Sequence, residues 1–89
     1  MSKGYVPYMT IGELEVVHTC SLDEKEIKVY FEEPDDEHFF KTLIVSLHDL
    51  RIIKNDHYEP YEVNRLLRFC INNYDAIMEY AKVGGVGYA

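Results

Sequence analysis

The hydrophobic pattern of this chain changes period once. From Glu13 to Lys54 apolar residues recur at about every second position, and from Val63 to Ala81 at every third or fourth. A period of two sends alternate side chains to the two faces of a strand, whereas Val63, Leu66, Leu67, Cys70, Tyr74, Ile77, Met78 and Ala81 form one stripe on a 3.6-residue helix. In Glu13 to Cys20 the residues Leu14, Val16, His18 and Cys20 oppose Glu13, Glu15, Val17 and Thr19. In Glu26 to Glu33 the residues Ile27, Val29 and Phe31 oppose Lys28, Tyr30 and Glu32, so the two runs read as a hairpin joined by a polar turn. Lys28 could then lie across from Glu13 or Glu15.

The third run breaks the one-sided rule. After the turn Pro34 to Glu37, the stretch His38 to Leu47 carries Phe39, Leu43, Val45 and Leu47 in one phase and Phe40 and Ile44 in the other. Leu50 to Lys54 repeats this with Ile52 and Ile53. A strand that is apolar on both faces is either covered twice or exposed at an interface. The helix is bounded by Pro60, which suits the first helical position, and by the Gly84-Gly85 stop; Asp56 or Glu59 could cap it. Its polar side holds Arg65, Arg68, Asn72, Asp75, Glu79 and Lys82, with Glu62–Arg65 and Glu79–Lys82 as side-chain pairs.

These elements predict an α+β fold: an antiparallel sheet of three to four strands packed against one long C-terminal helix at about 60–83. Residues 5–11 are either a fifth, edge strand, with Pro7 tolerated at its margin, or an arm across the outer face of the sheet. The expectation is one domain over residues 1–89, with flexible ends at about 1–4 and 84–89. A chain of 89 residues buries only about 60–65% of its unfolded surface, so self-association would remove apolar area that the fold leaves exposed. Eight Tyr, four Phe and no Trp suit a thin core or a contact surface, because a tyrosine ring packs while its hydroxyl stays wet.

Charge narrows the function classes. The net charge is −7, from sixteen acids against nine Lys plus Arg, and a phosphate backbone would be repelled. Nucleic-acid binding would need a basic patch built from Arg51, Lys54, Arg65 and Arg68. Cys20 and Cys70 fall at apolar-phase positions and read as buried free thiols. The opening residues precede no apolar run and no stretch approaches eighteen apolar residues, which points to a soluble, cytoplasmic protein with no membrane partner.

The candidate chemistry is sparse. His18 is in phase with the core. His38, His48 and His57 sit at element ends near Asp35, Asp36, Glu37, Asp49 and Asp56, where strand ends could converge into a metal site, although the spacing matches no zinc or calcium motif. No serine lies in a nucleophile-elbow setting, and Gly84 to Gly87 follows a helix instead of opening one, as a phosphate cradle must. No cofactor and no catalytic residue are assigned.

The segments GELEV, IKVYFEEPDD, LIVSLHDLRIIKN and YEVNRLLRFCINNYDAIMEYA resemble small bacterial proteins of unknown function, in which a short meander precedes one C-terminal helix. One such group carries a His- and Pro-rich signature before its later strands, of which this chain has Pro34 and His38. The resemblance implies a place in toxin–antitoxin modules and no functional residue. The leading expectation is therefore a non-enzymatic domain contacting a protein partner or itself as a homodimer through Val17, Tyr30, Phe40, Ile44 and Ile53. The alternative is a small enzyme or metal-binding protein using His38, His48 or His57 with acids at the sheet rim.

Overall fold

The computed structural model describes residues 5–20 and 26–83. In order these form β1 (Tyr5–Ile11), β2 (Leu14–Thr19), β3 (Lys28–Asp35), β4 (Phe39–Ser46), β5 (Arg51–Asp56), α1 (Pro60–Asn72) and α2 (Tyr74–Val83). The strands make one antiparallel meander in the order β1-β2-β3-β4-β5. The α+β class follows from the pattern, and the sheet has five strands. Residues 5–11 are the edge strand: Tyr5 lies opposite Thr19 and Ile11 opposite Leu14, with a bulge between Pro7 and Met9. Paired in this way, β1 extends the sheet sideways and does not cross its outer face. The expected ends at 1–4 and 84–89, the Gly84 stop and the turn at 21–25 lie outside the described residues.

The core is the helix-side face. Val16, Ile27, Val29, Phe31, Leu43, Val45 and Leu47 meet Val63, Leu66, Cys70, Ile77 and Ala81 in one buried cluster. Phe31 is fully buried and stands edge-on to Phe69, with ring centroids 5.7 Å apart. Each such side chain contributes about 1.5–3 kcal/mol on burial. Both cysteines are buried and neither is in a disulfide, and burial pushes the Cys70 thiol up to about 12.

The helix is broken once, where one helix of about 60–83 is expected. Asn73 takes φ −109° and ψ 10°. Its backbone N–H still donates to the Phe69 carbonyl at 3.0 Å and Ile77 N–H to the Asn73 carbonyl at 2.9 Å, so both backbone hydrogen bonds of Asn73 persist across the break. The cause is the side chain. Asn73 Nδ2 donates to the same Phe69 carbonyl at 2.9 Å, and Tyr8 Oη of β1 donates to Asn73 Oδ1 at 2.8 Å. A short amide competing with the backbone for a carbonyl is a standard source of a kink. Tyr74, the first residue after the bend, leaves the stripe and is 37% exposed.

Register corrects three further expectations. Lys28 lies opposite Ser46, and Glu15 lies opposite Glu32, so no Lys28–Glu15 cross-strand pair forms. β3 continues through Pro34 and Asp35, opposite Phe40 and Phe39; its pairing with β2 stops at Glu32, so the proline sits where only one neighbour needs donors. Glu62 turns away from Arg65 and reaches Lys41 of β4, with Nζ 2.6 Å from Oε2.

Candidate functional site

The helices pack on one face of the sheet; on the other, called the open face, Pro7, Phe40, Arg51 and Lys54 are exposed while Val17, Thr19 and Ser46 are buried. Register decides what the open face shows: Pro7, Val17, Tyr30, Ile44 and Lys54 stand opposite one another across all five strands. Three of the expected contact residues, Val17, Tyr30 and Ile44, thus make one row. Val17 is only 5% exposed, while Tyr30 and Ile44 are half-buried. The Tyr5 ring meets Tyr30 edge-on at 5.5 Å, and Tyr30 Oη donates to Glu32 Oε1 at 2.6 Å, which raises the Tyr30 pKa. Phe40 lies four residues further along β4 beside Pro34 and is 52% exposed. Ile53 is the extra residue of a bulge in β5: Ile44 pairs with Lys54 and Val45 with Ile52. The bulge therefore gives Lys54 the end of the row. Two adjacent isoleucines breaking the alternation in an edge strand were the available signal.

The row is framed by polar groups. Ser46 Oγ donates to Glu26 Oε2 at 2.8 Å and Arg51 Nη2 to the same oxygen at 2.7 Å, and these bonds, that from Ser46 first, lower the Glu26 pKa. Arg51 and Lys54 share the open face with this row, while Arg65 and Arg68 are exposed on the helix layer behind it. The four do not form one basic patch.

The rim histidines separate into two places. The β3–β4 turn and the β5–α1 turn bring His38 and His57 together with rings parallel and centroids 3.7 Å apart. Asp35 Oδ2 accepts from the His38 backbone N–H at 3.1 Å and from Nδ1 at 2.7 Å, and the ring bond is the main reason its pKa is lowered. Phe39 (φ 70°) and His57 (φ 76°) both hold left-handed backbone beside this stack, a conformation costing about 1–3 kcal/mol for such residues. Asn55 holds the second turn, accepting from Tyr58 N–H at 3.1 Å and donating to the Tyr58 carbonyl at 3.1 Å. His48 lies in the β4–β5 turn, lining a shallow cavity of about 340 Å³ with Leu47, Leu50, Ile71, Tyr74 and Asp75. It does not join the pair. Among the described residues no group of three or more His, Cys, Asp or Glu side chains is disposed to hold a metal ion.

Beneath the histidine stack lies a cluster that the residue pattern does not announce. Lys41 pairs with Glu62 and sits 5.1 Å from the centroid of the buried Tyr58 ring. The Lys41 hydrogen bond is the first cause lowering the Glu62 pKa, and the same bond raises that of Lys41. Glu62 also accepts the Glu59 backbone N–H at 3.0 Å, satisfying one of the free donors at the start of α1. Burial first, and the facing Glu33 carboxylate second, push the Tyr58 phenol far up. Among the described residues the hydroxyl closes no hydrogen bond of good geometry. These groups tie β3, β4 and α1 together at one end, and all of them serve each other.

The molecule is thus a one-sided sheet domain: an antiparallel meander with a kinked helix on one face. The chain matches no protein-family model, no curated protein and no solved structure. No helix among the described residues is long and apolar enough to cross a membrane.

Proposed function

We propose that this is a non-enzymatic domain that acts by protein contact, as a homo-oligomer or an accessory subunit, through the open face of its sheet. The observation that carries this reading is the asymmetry of the sheet. The helices bury the centre of one face, where Val29, Phe31, Leu43 and Val45 lie, while on the other Tyr30, Ile44 and the 52%-exposed Phe40 remain within reach of a partner. Aromatic and aliphatic residues on a sheet face framed by polar ones fit the core-and-rim pattern of a protein interface. The test is sedimentation of the wild type and of the Phe40→Ser/Ile44→Ser variant. The folded variant should lose an assembly that the wild type forms. A wild-type monomer that also captures no partner through this face overturns the reading.

The stacked His38–His57 pair with Asp35 favours a second reading, a site at the sheet rim. Stoichiometric metal uptake by the purified protein, lost in His38→Ala and His57→Ala, would support it; an absence of uptake would remove it.

A further inference from the structure

We infer that the free edge of β5 pairs with β5 of a second copy of this chain, in a single register set by the bulge at Ile53. The inference rests on the reading that the domain acts by protein contact, and it concerns a different surface from the open face. The sheet has two outer strands, β1 and β5. β1 carries Pro7, which lacks a donor, next to its own bulge. β5 carries no proline, and Arg51, Ile52, Ile53, Lys54 and Asn55 are all exposed. Among the described residues its main chain is bonded on the β4 side only, so the other side offers donors and acceptors to an added strand.

The bulge determines which residues share a face. In an unbroken strand Arg51 and Asp56 would point to opposite sides. With the extra residue at Ile53, Arg51 is aligned with Ser46 and Asp56 with Thr42, both on the open face, while Ile52 and Asn55 are aligned with Val45 and Leu43 on the helix side. An antiparallel copy related by a two-fold axis at Ile53 and Lys54 then sets Arg51 against Asp56 of the second copy, twice, and Ile52 against Asn55, twice. Arg51 and Asp56 then share the open face and Ile52 and Asn55 the helix side, as an antiparallel ladder requires. Moving the register by two residues brings Arg51 against Lys54 of the other copy, which repels. Arg51 and Asp56 already have neighbours, Glu26 at 2.7 Å and Lys54 at 3.3 Å, yet their side chains stay 55% and 45% exposed. The new contact joins these into an alternating row of Glu26, Arg51, then Asp56 and Lys54 of the second copy. Charges and a bulge are devices that discourage indiscriminate edge pairing; here they leave one complementary register, giving specificity by excluding the others.

The test is a charge swap read by sedimentation equilibrium, with circular dichroism confirming that each variant is folded. The wild type should dimerise. Arg51→Asp and Asp56→Arg should each weaken dimerisation on the order of 100-fold, because each sets like charges opposite one another twice. An equimolar mixture of the two variants should recover a dimer, since every contact in the mixed pair joins unlike charges. The Phe40→Ser/Ile44→Ser variant, which should lose only the assembly made through the open face, should keep this edge dimer, which separates the two surfaces. A monomeric wild type, a dimer indifferent to both reversals, or a mixture that fails to recover overturns the inference.

Discussion

The two faces of one sheet are built from the same strands and differ in what stands in front of them. On the helix side Val29, Phe31, Leu43 and Val45 have no exposed surface. On the open side their immediate neighbours Tyr30 and Ile44 are half-covered and Phe40 is largely exposed. Alternation assigns residues to faces, but it does not say which face a helix will take. That assignment belongs to the length of the helical stripe and to the few residues, such as Asn73, that steer it.

The largest break in this contrast should come from Phe31→Ala, which opens a cavity in the covered face and should cost about 3–5 kcal/mol in urea unfolding. The matching change on the open face, Ile44→Ser, removes a partly exposed side chain and should cost about 1 kcal/mol or less by the same measurement. If the two costs were equal, the faces would not be different environments. Asn73→Ala falls between them, at about 1–2 kcal/mol, because it releases both the Phe69 carbonyl and the Tyr8 hydroxyl from side-chain hydrogen bonds. It should also weaken the attachment of β1, seen as faster amide exchange in that strand.

A smaller effect is tied to pH. His18 is fully buried, donates from Nδ1 to the Thr19 carbonyl at 2.8 Å and leaves Nε2 without a partner among the described residues; burial lowers its pKa. The unfolded chain therefore binds a proton more readily than the folded one. Stability should fall as pH drops below the ordinary histidine value of about 6.5 and level off below the lowered native value. Urea midpoints between pH 7.5 and 5 should show this slope, and His18→Gln should flatten it. The same slope in the variant would show that His18 is not its source.

Much of the fold was legible along the chain. Period two gave the strands, the stripe from Val63 to Ala81 gave the helical layer, and Pro60 stands at the start of α1 as its fixed φ allows. The kink was not legible, since it needs Tyr8 to arrive from 65 residues away at Asn73. The row Val17, Tyr30 and Ile44 was legible as a phase, but its continuation into Lys54 was not, because one extra residue in β5 resets the alternation beyond Ile52. The His38–His57 stack joins two turns that strand order alone brings together, whereas His48 sits in a different turn.

By itself the sequence determined the α+β class, the alternation of β2 to β4 and the helical stripe, because these depend on the period and chemistry of neighbouring residues. Only the tertiary structure decided which strands form edges, where β5 bulges, how Asn73 bends the helix, and therefore which face and which edge stay open. Those outcomes depend on contacts between residues distant in the chain, and a local pattern does not encode them.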